Sequence, residues 1–274
     1  MTPYCFILSW ERPIYLWSTL YSLLRNTKKP VKFVLFDNAS KDPLVSQVIR
    51  AFDRRGMFAE VRLCGENDPN RVQKIFDEYQ SKLDRFFYFC ENDVMVPAHP
   101  CWASVYANIF DSHPNVGMVG SLCEPDDFVS ESDVRREMPN ISQSECRYYC
   151  RTDSYGERDF SVTLDREIGS ADFPNPPGRL LLLATEAVAR CGVRTDHALA
   201  NKMESEGFSW YITQKFRHRH LSLMSFYDYP NNSEAMPIDY RRARNSFFRK
   251  VDNITFIKRA SNRILGLLRE RGIP

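Results

Sequence analysis

No stretch of this 274-residue chain approaches eighteen consecutive apolar residues, so no transmembrane helix is expected. Met1 to Leu8 run straight into an apolar strand without a basic leader or a small-residue cleavage site, so no signal peptide is expected either. The eight cysteines include no CxxC pair. Cys5 and Cys90 fall in apolar strands, and Cys146 and Cys150 form a lone C-x3-C without the second pair of ligands that a zinc site requires. All eight are expected to be reduced thiols, which suits a cytoplasmic, reducing compartment. No glycine-rich, Lys/Arg-bearing loop follows the first strand, and there is no internal repeat or low-complexity tract.

What is present is ordinary in bulk and uneven in detail. A hydrophobic share of 43% over this length is enough for a sizeable core in one large or two small domains. The 13% aromatic share implies stacking surfaces as well as core. The net charge of +2 hides an asymmetry: residues 241–274 carry ten Lys/Arg against two Asp/Glu, a balance of +8, which leaves −6 for the remainder. A mildly acidic body with a basic tail points to an anionic partner for the tail.

The first half alternates strand and helix signals. Strands are expected at Tyr4 to Ser9, Lys32 to Phe36, Glu60 to Cys64, Phe86 to Cys90 and Val116 to Leu122. Helices are expected at Pro13 to Arg25, Pro43 to Arg55, Asn70 to Leu83 and Cys101 to Asp111. This βαβ order predicts an α/β fold with a mostly parallel central sheet, right-handed crossovers and flanking helices. From Cys123 to Pro177 periodicity fades, as in a functional loop or lid. A strand at Leu180 to Ala184, helices at Thr185 to Cys191 and Thr195 to Glu206, and a strand at Phe208 to Ile212 follow. The tail shows two basic helical stretches, about Asp239 to Arg249 and Asn253 to Arg271.

The feature richest in chemistry is the run Phe86-Phe87-Tyr88-Phe89-Cys90, which ends abruptly in Glu91-Asn92-Asp93. An apolar run of that kind is a strand buried on both faces. Acids at its carboxyl end stand at the rim where open α/β sheets bind ligands, and such a pair suits a hard divalent cation that also holds phosphates. A polar turn closing a strand is the competing reading.

Three motifs, in order, resemble those of a family 2-type glycosyltransferase with the GT-A, Rossmann-like fold. Ser9-Trp10-Glu11-Arg12-Pro13 is similar to that family's Thr-Tyr-Asn-Arg opening, and Asp37-Asn38-Ala39-Ser40-Lys41-Asp42 to its second-strand turn. Glu91-Asn92-Asp93 with Pro97 is similar to its metal-binding DxD turn. Gly178 to Gly192, then Asp196 and Gly207, resemble its second half, so that the likeness spans about residues 3 to 225. It implies a domain at 1–225, with a nucleotide-binding half at 1–122 and an acceptor-binding half at 123–225, followed by a basic helical extension at 226–274.

The resemblance also implies roles. Asp93 would coordinate Mn2+ or Mg2+, which would stabilise charge growing on the leaving diphosphate. Glu91 would hold a metal-bound water or the ribose, with Asn92 as spacer. Asp37 would accept from base or ribose, and Asn38 would contact a uracil; an Asx-type turn is the plainer reading of both. Ser9 would lie beneath the base, and Trp10 would stack on it or pack in the core. Arg12 and Arg71 are phosphate candidates, against loop anchoring for the first and solvation for the second. His220 would be a further metal ligand; with His218 it faces one way if Phe216 to Ser222 is a strand.

Asp196, at the start of a late helix, would be the base of an inverting transfer, although Asp also suits a first helical turn. The spacing from Gly192 is short, and His197 replaces the family's second acid. The implied reaction moves a sugar from a nucleotide-sugar donor, best matched by UDP, to a glycan or lipid-linked acceptor. Ile254, Ile257, Ile264, Leu265 and Leu268 give the last helix an apolar face, suited to an anionic membrane surface or to docking on its own domain. A nucleotidyltransferase acting on a sugar phosphate is the rival enzyme reading, opposed by the missing glycine-rich loop. A nucleic-acid-binding module is opposed by the acidic body.

Overall fold

The computed structural model describes residues 1–124, 127–128, 130–137, 139–143, 146, 150, 168–169, 177–192 and 196–221. Most of the irregular stretch Cys123 to Pro177 and the whole basic tail, with its two expected helices, lie outside the described residues.

The first half alternates as its periodicity predicts. The order is β1 (Tyr4–Ser9), α1 (Pro13–Asn26), β2 (Lys32–Asp37), α2 (Pro43–Asp53), β3 (Phe58–Leu63), α3 (Arg71–Tyr79) and β4 (Phe86–Glu91). A two-residue β5 (Val94–Met95), α4 (Trp102–Ser112) and β6 (Val116–Cys123) follow. The described part of the second half contains α5 (Glu131–Glu137), β7 (Ile168–Gly169), β8 (Leu180–Ala184), α6 (Thr185–Cys191), α7 (Asp196–Ser205) and β9 (Ser209–His220). Helix α5 forms inside the stretch expected to be irregular, started by Ser130, whose Oγ accepts from the Asp133 amide at 3.1 Å. In α2 the starting signals are local: Asp42 accepts from the Leu44 amide at 3.0 Å, and Pro43 opens the first turn.

The strands form one sheet in the order β3-β2-β1-β4-β8-β6-β9-β5, with β7 paired to β9. β3, β2, β1 and β4 are mutually parallel; β8 runs antiparallel to both β4 and β6, and β9 is parallel to β6. The sheet is thus mostly parallel, as expected, with β8 reversed in its middle and the two-residue strands β5 and β7 antiparallel to β9.

Strand alternation divides the core into two layers. Cys5, Ile7, Phe33, Leu35, Tyr88, Cys90, Leu180 and Leu182 face one side, where they meet Leu16 and Leu20 of α1, Val45 and Ile49 of α2, and Trp102 and Tyr106 of α4. Phe6, Val34, Phe36, Phe87, Phe89, Leu181 and Leu183 face the other, against Ile75 and Phe76 of α3, Val188 of α6, and Leu199 and Met203 of α7. Burial on both faces is why these strands read as unbroken apolar runs.

β9 is longer than its apolar signal. The sequence predicts a strand ending at Ile212, because Thr213-Gln214-Lys215 is polar. In the sheet, Ser121 opposes Thr213 while Leu122 opposes Arg217, so Gln214 to Phe216 have no counterpart on β6. The strand absorbs the polar step as an irregularity and continues to His220.

Close approach at the centre of the sheet requires a glycine on β6. A Cβ at Gly120 would lie 2.2 Å from Cβ of Pro177. Gly120→Ala is expected to destabilise the fold by about 1–3 kcal/mol through overpacking, read as a lower urea midpoint. An unchanged midpoint would show that the Pro177 segment yields freely.

Candidate functional site

Parallel pairing lines up the carboxyl ends of β2, β1 and β4. Ser9 stands opposite Asp37, and Leu8 opposite Glu91. The strand order reverses between β1 and β4, since β2 and β3 were added on one side of β1 and β4 on the other. Open α/β sheets bind ligands at the crevice such a reversal leaves.

At the β2 end the backbone is held by side chains. Ser40 Oγ donates to Asp37 Oδ1 at 2.5 Å, the Ser40 amide donates to Oδ2 at 3.0 Å, and the Glu11 amide donates to Ser40 Oγ at 2.6 Å. Glu11 is 2% exposed, and its two carboxylate oxygens accept from the amides of Lys41 at 2.9 Å and Asp42 at 3.0 Å. It therefore clips the β1–α1 loop to the β2–α2 turn. Burial raises the pKa of Asp37, and the Ser40 hydrogen bonds oppose that rise in part.

Asn38 is engaged at both ends. Its Nδ2 donates to Asn67 Oδ1 at 2.6 Å and to the Asp68 carbonyl at 3.1 Å, while its Oδ1 accepts from the Asp68 amide and from Arg71 Nε at 3.0 Å. Arg71 also donates to the Glu66 carbonyl at 3.1 Å. The two residues thus build the loop before α3. A base contact through the Asn38 amide, or a phosphate contact through Arg71, would have to exchange one of these bonds. Ser9 is fully buried at the end of β1, and Trp10 is half-buried and outside both hydrophobic layers.

The acid triplet is the densest part of the rim. Asp93 is 1% exposed, and three side chains from distant segments meet its Oδ2: Arg12 Nη1 at 2.9 Å, Arg179 Nη1 at 3.4 Å and His220 Nε2 at 3.6 Å. The same Arg179 nitrogen lies 2.7 Å from Glu91 Oε2. Asn92 donates to the Glu11 carbonyl at 3.2 Å, tying the triplet to the β1 loop. Pairing explains the convergence. β8 begins beside the end of β4, so the Glu91 amide donates to the Arg179 carbonyl at 2.9 Å. β5 pairs Val94 with His220, and the Leu221 amide donates to the Asp93 carbonyl at 2.7 Å.

Backbone strain marks the same rim. Glu11, Arg12, Ala39 and Arg179 have φ values of 52°, 60°, 63° and 66°; Asn115 is the one other non-glycine residue with positive φ among the described residues. Left-handed backbone costs about 1–2 kcal/mol at such residues, and it concentrates where surrounding contacts enforce it.

Electrostatics sets the charge states. Burial alone would raise the Asp93 pKa, but Arg179, His220 and Arg12 outweigh it and hold the carboxyl far below its usual range. Burial, reinforced by Arg179, pushes the His220 pKa down to about 4 against the opposing pull of Asp93. His220 is therefore neutral at pH 7, which is the ligating form of imidazole. His218, two residues back and also buried, contacts Ser121 Oγ through Nδ1 at 2.9 Å instead.

A divalent cation was expected at Asp93 and His220, and their donor chemistry fits one. Asp93 Oδ1 is buried without a hydrogen-bond partner, and a neutral imidazole stands beside the same carboxylate. No group of three His, Cys, Asp or Glu side chains converges as a ready-made metal site among the described residues. Two protein donors suit a cation that draws its remaining ligands from phosphate and water. Glu91, expected to support that cation, is paired with Arg179.

Three contributors escaped the sequence reading. Glu11 lies inside the opening motif, where nothing in its sequence position marks it out from its neighbours. Arg179 borders an apolar run, a recognisable position, but its relevance depends on β8 running antiparallel beside β4. Asp127 is buried; its Oδ1 accepts from Arg219 Nε at 2.8 Å and its Oδ2 from the His220 amide at 2.8 Å, fixing the end of β9. Asp196 is the first residue of α7, as expected, but its side chain and that of His197 lie outside the described residues. All eight cysteines are free thiols, as expected. No helix among the described residues is long and apolar enough to cross a membrane.

No protein-family model matches the sequence, and no curated protein matches it. Solved structures do match the fold. GalNAc-T7, solved with UDP, GalNAc and Mn2+, superposes with a TM-score of 0.53 at 12% identity, over 80% of this chain and 43% of that one. TarS 1-349 of S. aureus gives 0.50 at 11% identity, over 93% and 72%. A mannosyltransferase from Pyrobaculum calidifontis, in complex with GDP-Man and Mn2+, gives 0.47 at 15% identity, over 78% and 55%. This chain thus spans less than two thirds of the length of the first and third. The fold is that of the GT-A glycosyltransferases, a mixed α/β sheet flanked by helices, as the motif order implied.

The Glu11 clip makes a measurable claim about this rim. Glu11→Ala removes both acceptors of the Lys41 and Asp42 amides and is expected to cost roughly 1–3 kcal/mol of stability. Hydrogen exchange at those two amides should accelerate more than at core strands. Uniform acceleration across the sheet would instead mean that Glu11 supports the whole fold rather than this turn.

Proposed function

We propose that this protein is a metal-dependent, inverting glycosyltransferase that moves a sugar from a nucleotide-sugar donor, with UDP as the favoured nucleotide, to the hydroxyl of a glycan or lipid-linked acceptor. The observation that carries the reading is the meeting of Glu91, Asp93, Arg12, Arg179 and His220 at the strand-order reversal of a GT-A sheet. The presence of UDP and Mn2+ in the GalNAc-T7 structure, and of UDP-GlcNAc in a structure of S. aureus TarS, agrees with that choice of ligands.

In this mechanism the rim binds the donor and the second half presents the acceptor. Asp37, held by Ser40, accepts from the base or ribose, and Trp10 offers a ring to stack against the base. Arg12, ion-paired with Asp93 at 2.9 Å, keeps positive charge beside the phosphates. Asp93, through its unpartnered Oδ1, and neutral His220 would hold Mn2+ or Mg2+. When bound, that ion supplies Lewis-acid stabilisation of the charge left on the diphosphate.

Asp196 takes the proton from the acceptor hydroxyl as its oxygen forms a bond to the anomeric carbon. The bond from that carbon to the diphosphate oxygen breaks, and its electron pair leaves with the diphosphate. Attack opposite the leaving group inverts the anomeric centre. Residues 123–177 carry acceptor choice, and the basic tail rests on an anionic membrane face, bringing the site to lipid-linked substrates.

Calorimetry with UDP, GDP and dTDP, with and without Mn2+, is expected to show metal-dependent binding of one nucleotide. Binding of none would sink the reading. Asp93→Asn should abolish the metal dependence. Asp196→Asn should leave donor binding intact and lower transfer at least about 100-fold, and unchanged turnover would remove Asp196 from the mechanism. Truncation after Arg249 should reduce sedimentation with anionic liposomes; equal sedimentation would assign the tail to docking on its own domain.

A further inference from the structure

The two arginines on the acid triplet sit where positive charge from a cation would also be drawn. In the structure, two guanidiniums answer two carboxylates: Arg12 on Asp93, and Arg179 on both Glu91 and Asp93. A dication at Asp93 would add charge of the same sign beside both arginines, in a buried setting where like charges repel strongly. A diphosphate alone would meet the two carboxylates. Together, the dication and the diphosphate nearly cancel, provided one guanidinium leaves the acids and follows the anion.

The geometry distinguishes the two arginines. Arg12 is the closer to Asp93, at 2.9 Å, its side chain is 14% exposed, and its guanidinium lies 5.9 Å from the centre of the Tyr15 ring. Arg179 is looser on Asp93, at 3.4 Å, and its stronger contact is with Glu91, whose side chain is 37% exposed against 1% for Asp93. An ion pair with so exposed a carboxylate is cheap to exchange. Arg179 also holds its place at φ 66°, immediately before β8, in a backbone conformation that a non-glycine residue adopts only under constraint. Its carbonyl is fixed by the Glu91 amide, so its base stays anchored at the rim whichever partner the guanidinium takes.

We propose that Arg179 is an exchangeable diphosphate-binding residue. Without ligand it is parked on Glu91 and Asp93; when a nucleoside diphosphate arrives it transfers to the phosphates and frees the acids for the cation. The consequence is thermodynamic coupling: each ligand strengthens binding of the other, by the same factor in either order. The proposal rests on the nucleotide-sugar reading above.

The test uses the full-length chain, with Mn2+ binding followed by electron paramagnetic resonance and UDP binding by calorimetry. Each ligand is titrated alone and in the presence of the other. The wild-type protein is expected to bind Mn2+ weakly alone and at least about fivefold more tightly with UDP. Arg179→Gln should bind Mn2+ alone more tightly than wild type, bind UDP more weakly, and lose the part of the coupling that direct attraction between cation and diphosphate does not supply. Arg179→Gly, which suits the left-handed backbone, should behave the same way and guards against misfolding of the first variant. Arg179→Lys, with charge but no planar fork, should retain part of the coupling. Coupling as large in Arg179→Gln and Arg179→Gly as in wild type overturns this proposal and leaves the glycosyltransferase reading standing. Failure of wild type to bind UDP, GDP or dTDP with Mn2+ overturns both.

Discussion

A carboxylate taken out of water must be met by charge or hydrogen bonds, and Asp93 is the place where that requirement gathers the molecule. It is almost fully buried, yet its environment favours the ionised form. The groups responsible come from the β1–α1 loop, from the start of β8 and from the end of β9. None is a neighbour of Asp93 in the chain. Each depends on strand pairing for its position, so the charge balance at one atom records whether the sheet has assembled in order. The same dependence runs outward through Asp127, which accepts from the His220 amide and so ties part of the irregular segment to the site.

Around that centre, rigidity and looseness are distributed unevenly. The β2 end is locked by Glu11, Ser40 and Asp37, and the loop before α3 by Asn38 and Arg71. These are short contacts among buried or half-buried groups, and they hold backbone in conformations it would not otherwise adopt. Arg179 bridges two acids of unlike exposure and is the group proposed to exchange partners. For the highly charged ligand proposed above, this division is useful. Fixed donors and acceptors define the shape, while the proposed transfer of Arg179 would let the charge rebalance without opening the core.

Much of this was legible in the chain. The apolar runs at Phe86 to Cys90 and Leu180 to Ala184, each buried on both faces, carry their own signature. The helix starts at Pro13 and Pro43 have local chemistry to mark them. The acids after β4 and the turn after β2 could be placed at a sheet rim because strands end where apolar character ends. The reading was weaker where local signals contradict the outcome. Thr213-Gln214-Lys215 argues against a strand, yet β9 passes through because the register slips against β6. Asn38 has the look of a ligand-facing amide, yet four protein partners engage it, two of them backbone groups of Asp68 that only folding brings near.

The alternation of elements, the two-sided burial of the central strands and the identity of the rim residues Ser9, Asp37, Glu91 and Asp93 are legible along the chain. They follow from periodicity, turn chemistry and the ends of apolar runs, which are short-range properties. Long-range pairing alone puts β8 antiparallel beside β4, carries β9 as far as His220, and so closes two arginines with left-handed backbones on one buried carboxylate. Strand direction and register are settled by pairing between segments up to 220 − 94 = 126 residues apart, as between Val94 and His220, and nothing in either segment alone encodes which partner it will meet.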